Sequence, residues 1–220
     1  MLKDFQTVLD CTGLTGEVGP LRFYPTTTVE DLAKKLPEVD LNGDYVVIHP
    51  PSRWLFKEWL PEHWTKVADT IAKEFDCRIV FSCGPDARER EMVAAIRKAF
   101  GGEHATTDGQ FNIDGFGRLL GGAKMFLGVD TVAMHLAAAM QTRIVALFGP
   151  SSEWSWHPWK CRHELVLGDC ECKRTRKFVC DKSKPYPCMS GIGPDAVLTA
   201  ARKLNGSTPG AHPSLLQLHD

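Results

Sequence analysis

The sequence predicts a doubly wound α/β domain on a parallel sheet. Three observations carry this. Short apolar runs recur near 45–49, 78–82, 124–129 and 143–148, as expected of strands buried on both faces. The stretches between them place apolar residues at helical spacing. The connections are short and rich in turn residues, which suits strand–helix–strand units with right-handed crossovers.

The elements follow in order. Residues 1–44 are interrupted by Gly13, Gly16, Gly19 and Pro20, and only the stretch from Thr28 to Leu36 suggests a helix. Tyr45 to His49 is an unbroken apolar run ending in histidine, a buried strand by pattern. Pro61 opens a helix running to about Phe75, because proline suits the first helical turn and Trp64, Val67, Ala68, Ile71 and Phe75 share one face. Arg78 to Ser82 is the next strand. Gly84-Pro85-Asp86 is a turn, and Ala87 to Phe100 is a charged amphipathic helix. Asn112 caps a helix through Gly121. A strand from Lys124 to Val129 leads into an alanine-rich helix from Thr131 to Met140. The strand from Arg143 to Phe148 is stopped by Gly149-Pro150. Residues 205–220 read as a flexible tail.

Composition narrows the function. The chain has 220 residues, 43% hydrophobic and 24% charged, with a formal net charge of −1. That excludes a mainly disordered chain and a basic nucleic-acid coat protein. No apolar run is long enough to span a bilayer. The first ten residues mix charge with apolar side chains, so no signal peptide is expected, and eight cysteines without one argue against a secreted disulfide scaffold.

In a doubly wound sheet, ligands bind beyond the carboxyl ends of the strands. Three loops are therefore selected. The first, His49 to Trp59, holds Ser52, Arg53 and Lys57 ahead of a helix N-terminus, a set that can gather around phosphate. A plain βα loop is the alternative. The second, Gly128 to His135, places Asp130 at a strand end. Asp130 either caps the next helix or accepts hydrogen bonds from sugar hydroxyls. Thr131 and His135 lie one turn apart and can face one ligand, although a lone histidine on such a helix also fits a core position. A carboxylate against pyrophosphate is repelled, so Lys57 and Ser52 are expected to face phosphate and Asp130 a neutral polar group. The third loop carries Trp154, Trp156 and Trp159 within six residues. These suit a stacking surface, a partner interface or a hydrophobic lid.

The segments VVIHPPSRWLFKEW, SCGPD, GVDTVAMHLAAAM and ALFGPSSEWSWHPW, with the closing cysteine stretch, resemble glycosyltransferase family 9, the ADP-heptose–lipopolysaccharide heptosyltransferases. The nearest branch in character is heptosyltransferase III-like. The resemblance covers about residues 45–204. It implies a Rossmann-like sheet forming the C-terminal, donor-binding half of a GT-B glycosyltransferase, with residues 1–44 a remnant of the N-terminal domain or a linker. It implies inverting transfer of heptose from ADP-heptose, or a similar nucleotide sugar, to a lipopolysaccharide inner-core sugar, with no required cofactor. A nucleotide-sugar-binding module or subunit without independent catalysis is the alternative.

Carried over by position, Ser52 and Lys57 contact the pyrophosphate and Asp130 the heptose hydroxyls. Thr131 and His135 lie near sugar and phosphates, and Gly84 and Pro85 near the nucleoside. Arg53, Met134, Gly149 and Pro150 complete the expected donor-binding set. Val132 stands where many members have glycine, and Thr106 or a neighbour where many have glutamate. No catalytic base is assigned, because the family's base belongs to the N-terminal domain. The expected location is cytoplasmic, with peripheral contact at the inner membrane. A homo-oligomer or partner chain is expected, and nucleic acid is not.

Cys170, Cys172, Cys180 and Cys188 fall in a stretch from Lys160 to Cys188 that holds eight Lys/Arg and four Asp/Glu. Four thiols suit a structural Zn or Fe site, although C-x-C is tighter than the usual knuckle. Packed thiols or disulfides are the alternatives. The positive charge suits anionic lipid or a solvated face.

Overall fold

The structure is a computed structural model, and it describes residues 7, 10–13, 16, 18–99, 104–169, 175, 180–181 and 183–206. Its strands are β1 (Tyr45–His49), β2 (Arg78–Phe81), β3 (Ala105–Thr106), β4 (Met125–Val129), β5 (Ile144–Phe148) and β6 (His163–Leu167). They form one sheet in the order β3-β2-β1-β4-β5-β6, and every pairing is parallel. β1 is central: Val46 stands opposite Ile79 on one side and Met125 on the other. The chain leaves β1 toward β2 and later returns to place β4 on its other side. The carboxyl ends of β1 and β4 therefore flank the crevice where strand order reverses.

The helices are α1 (Val29–Lys35), α2 (Pro61–Glu74), α3 (Ala87–Ala99), α4 (Ile113–Gly122), α5 (Val132–Ala139), α6 (Glu153–Trp156), α7 (Pro187–Ser190) and α8 (Pro194–Gly206), with a 3₁₀ turn at Leu55–Lys57. They cover both faces of the sheet, and alternate residues of β1 show how. Val46 and Ile48 join a core with Trp64, Val67 and Ile71 of α2, Val93 and Ile96 of α3, and Val197 and Leu204 of α8. Tyr45 and Val47 join the opposite core with Leu119 and Leu120 of α4 and Ala133, Met134 and Ala137 of α5.

The expected strands and helices form within a residue or two of their predicted ends. Elements beyond the expectation, among the described residues, are β3, β6, α6, α7, α8 and the 3₁₀ turn at Leu55–Lys57. The predicted tail begins two residues early, because α8 continues through Gly206, and residues 207–220 lie outside the described residues. The stretch before β1 is built onto the domain. Thr28 caps α1 by accepting a hydrogen bond from the Asp31 amide at 3.1 Å. Leu32 and Leu36 are buried in the second core. The Thr26 and Thr27 amides donate to the Asp114 carboxylate at 2.9 and 2.7 Å, and Arg118 Nε donates to the Thr27 carbonyl at 2.7 Å. Among the described residues, no helix is long and apolar enough to cross a membrane.

Candidate functional site

A cavity of about 710 Å³ opens at the carboxyl ends of β1 and β4. Its walls come from the loops after five successive strands. Thr107 follows β3, Cys83 and Gly84 follow β2, and Ser52, Arg53, Trp54 and Lys57 follow β1. Asp130, Thr131, Val132 and His135 follow β4, and Trp156 follows β5. Phe111, Asn112, Ile113 and Phe116, at and before the start of α4, close one side.

The first two selected loops meet at its centre. Lys57 Nζ donates to Asp130 Oδ2 at 2.6 Å. Asp130 is buried and Lys57 half-buried, so water screens the pair less than it would a surface pair. Asp130 does not cap α5. Thr131 holds the cap position, with no side-chain cap bond, because the ammonium draws the Asp130 carboxylate across to the neighbouring loop. Thr131 Oγ1 is buried without a hydrogen-bond partner. An unpartnered hydroxyl beside a helix N-terminus suits an incoming anion or hydroxyl.

The loop after β1 is held from behind. Glu58 is buried, and its Oε1 accepts from the Ser52 amide at 3.0 Å and from Arg88 Nη1 at 2.7 Å. Arg88 Nη2 reaches the Ser52 carbonyl at 2.5 Å. The next residue, Glu89, accepts from the Gly84 amide at 2.7 Å. Thus the first turn of α3 fixes two walls of the cavity. Gly109 tightens the second wall. It adopts a left-handed φ of +66°, and a Cβ there would lie 2.5 Å from the Gly84 carbonyl oxygen.

Two histidines line the cavity. His49 Nδ1 lies 3.0 Å from Ser82 Oγ. Burial pushes its pKa down to about 4, so the ring is neutral at pH 7. His135 is also held below the ordinary imidazole value. Burial is the main cause, Asp130 opposes it, and Lys57 and His157 add to it. The Cys83 thiol is pushed up to about 11 by burial, which makes it a poor nucleophile.

Of the predicted donor-binding residues, Ser52, Arg53, Lys57, Gly84, Asp130, Thr131 and His135 line this one cavity. Four do not. Met134 is fully buried in the core, because it lies on the face of α5 that meets the sheet. Gly149 serves packing, since a Cβ there would lie 2.4 Å from Met189 Sδ. Pro85 is exposed and Pro150 half-buried, both off the cavity lining. Val132 is 72% exposed at the start of α5 and lines the cavity. Sequence reasoning passed over Phe111, Ile113, Phe116 and the Glu58–Arg88 pair. Asn112, expected as a cap, does cap α4 and also lines the cavity.

Half of the metal expectation falls on residues that are not described. Cys170 and Cys172 lie outside the described residues. Cys188 is fully buried, with its sulfur 3.1 Å from where a Gly149 Cβ would stand, and Cys180 is half-buried. Among the described residues, no three His, Cys, Asp or Glu side chains are grouped to hold a metal.

Known proteins are similar to this chain in sequence and in fold. Lipopolysaccharide heptosyltransferase 3 of Escherichia coli is 32% identical over 207 residues, covering 90% of this chain and 57% of that protein. The chain thus spans about half the length of the curated relatives it matches. The crystal structure of a family 9 glycosyl transferase from Veillonella parvula superposes with a TM-score of 0.74 at 19% identity, over 90% of this chain and 58% of that one. An Escherichia coli heptosyltransferase solved with ADP-2-deoxy-2-fluoro heptose gives 0.60 at 19% identity, over 90% and 55%. The profile of glycosyltransferase family 9 (heptosyltransferase) matches residues 23–185, and the chain belongs to that family.

Proposed function

We propose that residues 45–204 are the donor-binding half of a glycosyltransferase that uses ADP-heptose or a close nucleotide sugar, and that heptose passes with inversion to a lipopolysaccharide inner-core sugar. One observation carries the reading: the Lys57–Asp130 pair at the strand-order crevice, beside the unpartnered Thr131 hydroxyl. The pair resolves a conflict of charge. Asp130 alone would repel a diphosphate, whereas Asp130 held by Lys57 presents little net charge and keeps a free lone pair for sugar hydroxyls. A bound diphosphate then shares the ammonium, with the N-terminus of α5 adding its partial positive charge. In the transfer, an acceptor hydroxyl oxygen bonds to the anomeric carbon as the bond to the β-phosphate oxygen breaks, and the hydroxyl proton passes to a base outside the donor-binding half. The electron pair departs on ADP, where Lys57 and the helix end stabilise it. The names of the similar proteins, one of them solved with an ADP-heptose analogue, support the choice of donor.

A second reading, donor binding without independent turnover, has an observation in its favour. Both carboxylates lining the cavity are engaged, Asp130 by Lys57 and Glu89 by the Gly84 amide. Neither is placed as a general base. Calorimetry with ADP and ADP-heptose tests the donor site. Lys57→Ala should weaken both ligands about tenfold or more, and Asp130→Ala mainly the sugar nucleotide. Equal loss of both ligands on Asp130→Ala would overturn the assigned roles. A transferase assay with a lipopolysaccharide core acceptor separates the two readings.

A further inference from the structure

The three tryptophans after β5 have different surroundings. Trp154 is 75% exposed and off the cavity. Trp159 donates its indole N–H to the Gly19 carbonyl at 3.0 Å, tying down the segment before β1. Trp156 alone of the three lines the cavity, 38% exposed, with its ring centre 6.2 Å from that of His135 at 60°. Its ring therefore lies beside that of His135 and is partly open to the site.

Strand order shows what would meet that ring. Along the sheet the cavity walls run from Thr107 after β3 and Gly84 after β2, through Lys57 after β1 and Asp130 after β4, to Trp156 after β5. From β2 to β5 the walls span on the order of 14 Å, at about 4.8 Å per strand. A diphosphate on Lys57 divides this length. One side holds Gly84, Thr107, Phe111 and Ile113. The other holds Asp130, Thr131, His135 and Trp156. A carboxylate and a hydroxyl beside an open aromatic face match a pyranose ring, which has hydroxyls at its edge and a C–H face above.

We propose that Trp156 is the stacking platform for the sugar ring of the nucleotide sugar, taking its C–H face while Asp130 takes hydroxyls at its edge. This rests on the donor-site reading above and adds a residue that selects the sugar rather than the nucleotide.

Calorimetry on the full chain tests it with two ligands, ADP and ADP-heptose. Trp156→Ala should leave ADP affinity within about twofold and weaken ADP-heptose about tenfold, and Trp156→Phe should restore most of the loss. Trp154→Ala, four-residue helix and all, should change neither ligand. Equal weakening of both ligands by Trp156→Ala would place the indole against the base and overturn the proposal. So would no change in either ligand, or a Trp154→Ala effect as large as that of Trp156→Ala. Failure of the wild-type chain to bind ADP would instead overturn the donor-site reading, and this inference with it.

Discussion

Lys57 and His49 show how burial sets the chemistry of single side chains in this site. Lys57 pairs with Asp130 in a place where a lone carboxylate would be costly. His49 takes the other course and stays neutral, with Ser82 on its Nδ1. This has a consequence for stability. The unfolded chain takes up a proton on His49 near pH 6.5, whereas the folded chain resists until about 4. The unfolded state therefore binds more protons in that window, and stability falls as pH drops through it, by about 3 kcal/mol at most. His135 titrates in the same sense, with a smaller degree of burial. Urea unfolding at pH 7 and pH 4.5 should show a shallower pH dependence for His49→Gln than for wild type. The other titrating groups contribute to both proteins, so parallel slopes would refute the assignment to His49.

The residues that place the loops lie in a helix start. Arg88 and Glu89 open α3, yet they fix loops that follow two different strands. Arg88→Ala would leave the Glu58 carboxylate buried beside the Ser52 amide with no cation. The expected cost is about 2 kcal/mol, reduced from the fully buried case because Arg88 is partly exposed. ADP affinity should fall with it, since Lys57 lies in the same loop. Arg88→Lys should recover only part, because one ammonium cannot replace the two-armed grip on Glu58 and the Ser52 carbonyl. Denaturant midpoints together with ADP calorimetry measure both effects. Full recovery by Arg88→Lys would show that charge alone matters there. These roles were hard to read from sequence. Arg88 and Glu89 look like ordinary charges on an amphipathic helix, and only folding brings them within reach of Ser52 and Gly84. β6 was hidden for a related reason: it is an edge strand, half covered, and its polar start breaks the apolar run expected of a central strand. β3 spans two residues, too few to carry a pattern.

At the scale of the whole molecule, one sheet between two apolar layers supports the site. Trp59 locks the loop after β1 into the first of these layers. It is fully buried, its ring meets Trp64 edge to face at 4.8 Å, and its indole N–H donates to the Ile192 carbonyl at 2.9 Å. Trp59→Ala should therefore cost about 4 kcal/mol, from lost burial and an unpaired carbonyl, measured by urea unfolding. A cost under about 1 kcal/mol would mean that the loop is held without it. The central strands, most helices and the loops of the site were legible in advance, because burial on both faces leaves unbroken apolar runs and helix packing imposes a 3.6-residue period. Turn chemistry marked where each strand stopped, and hence which loops could carry function. What only the folded chain decided was which members of those loops converge. Ser52, Lys57, Asp130 and His135 reach one cavity, while Met134 and Gly149, from the same motifs, turn to packing. Side-chain direction at a strand end depends on which neighbour packs behind it, and those neighbours come from strands far apart in sequence and adjacent only in the sheet.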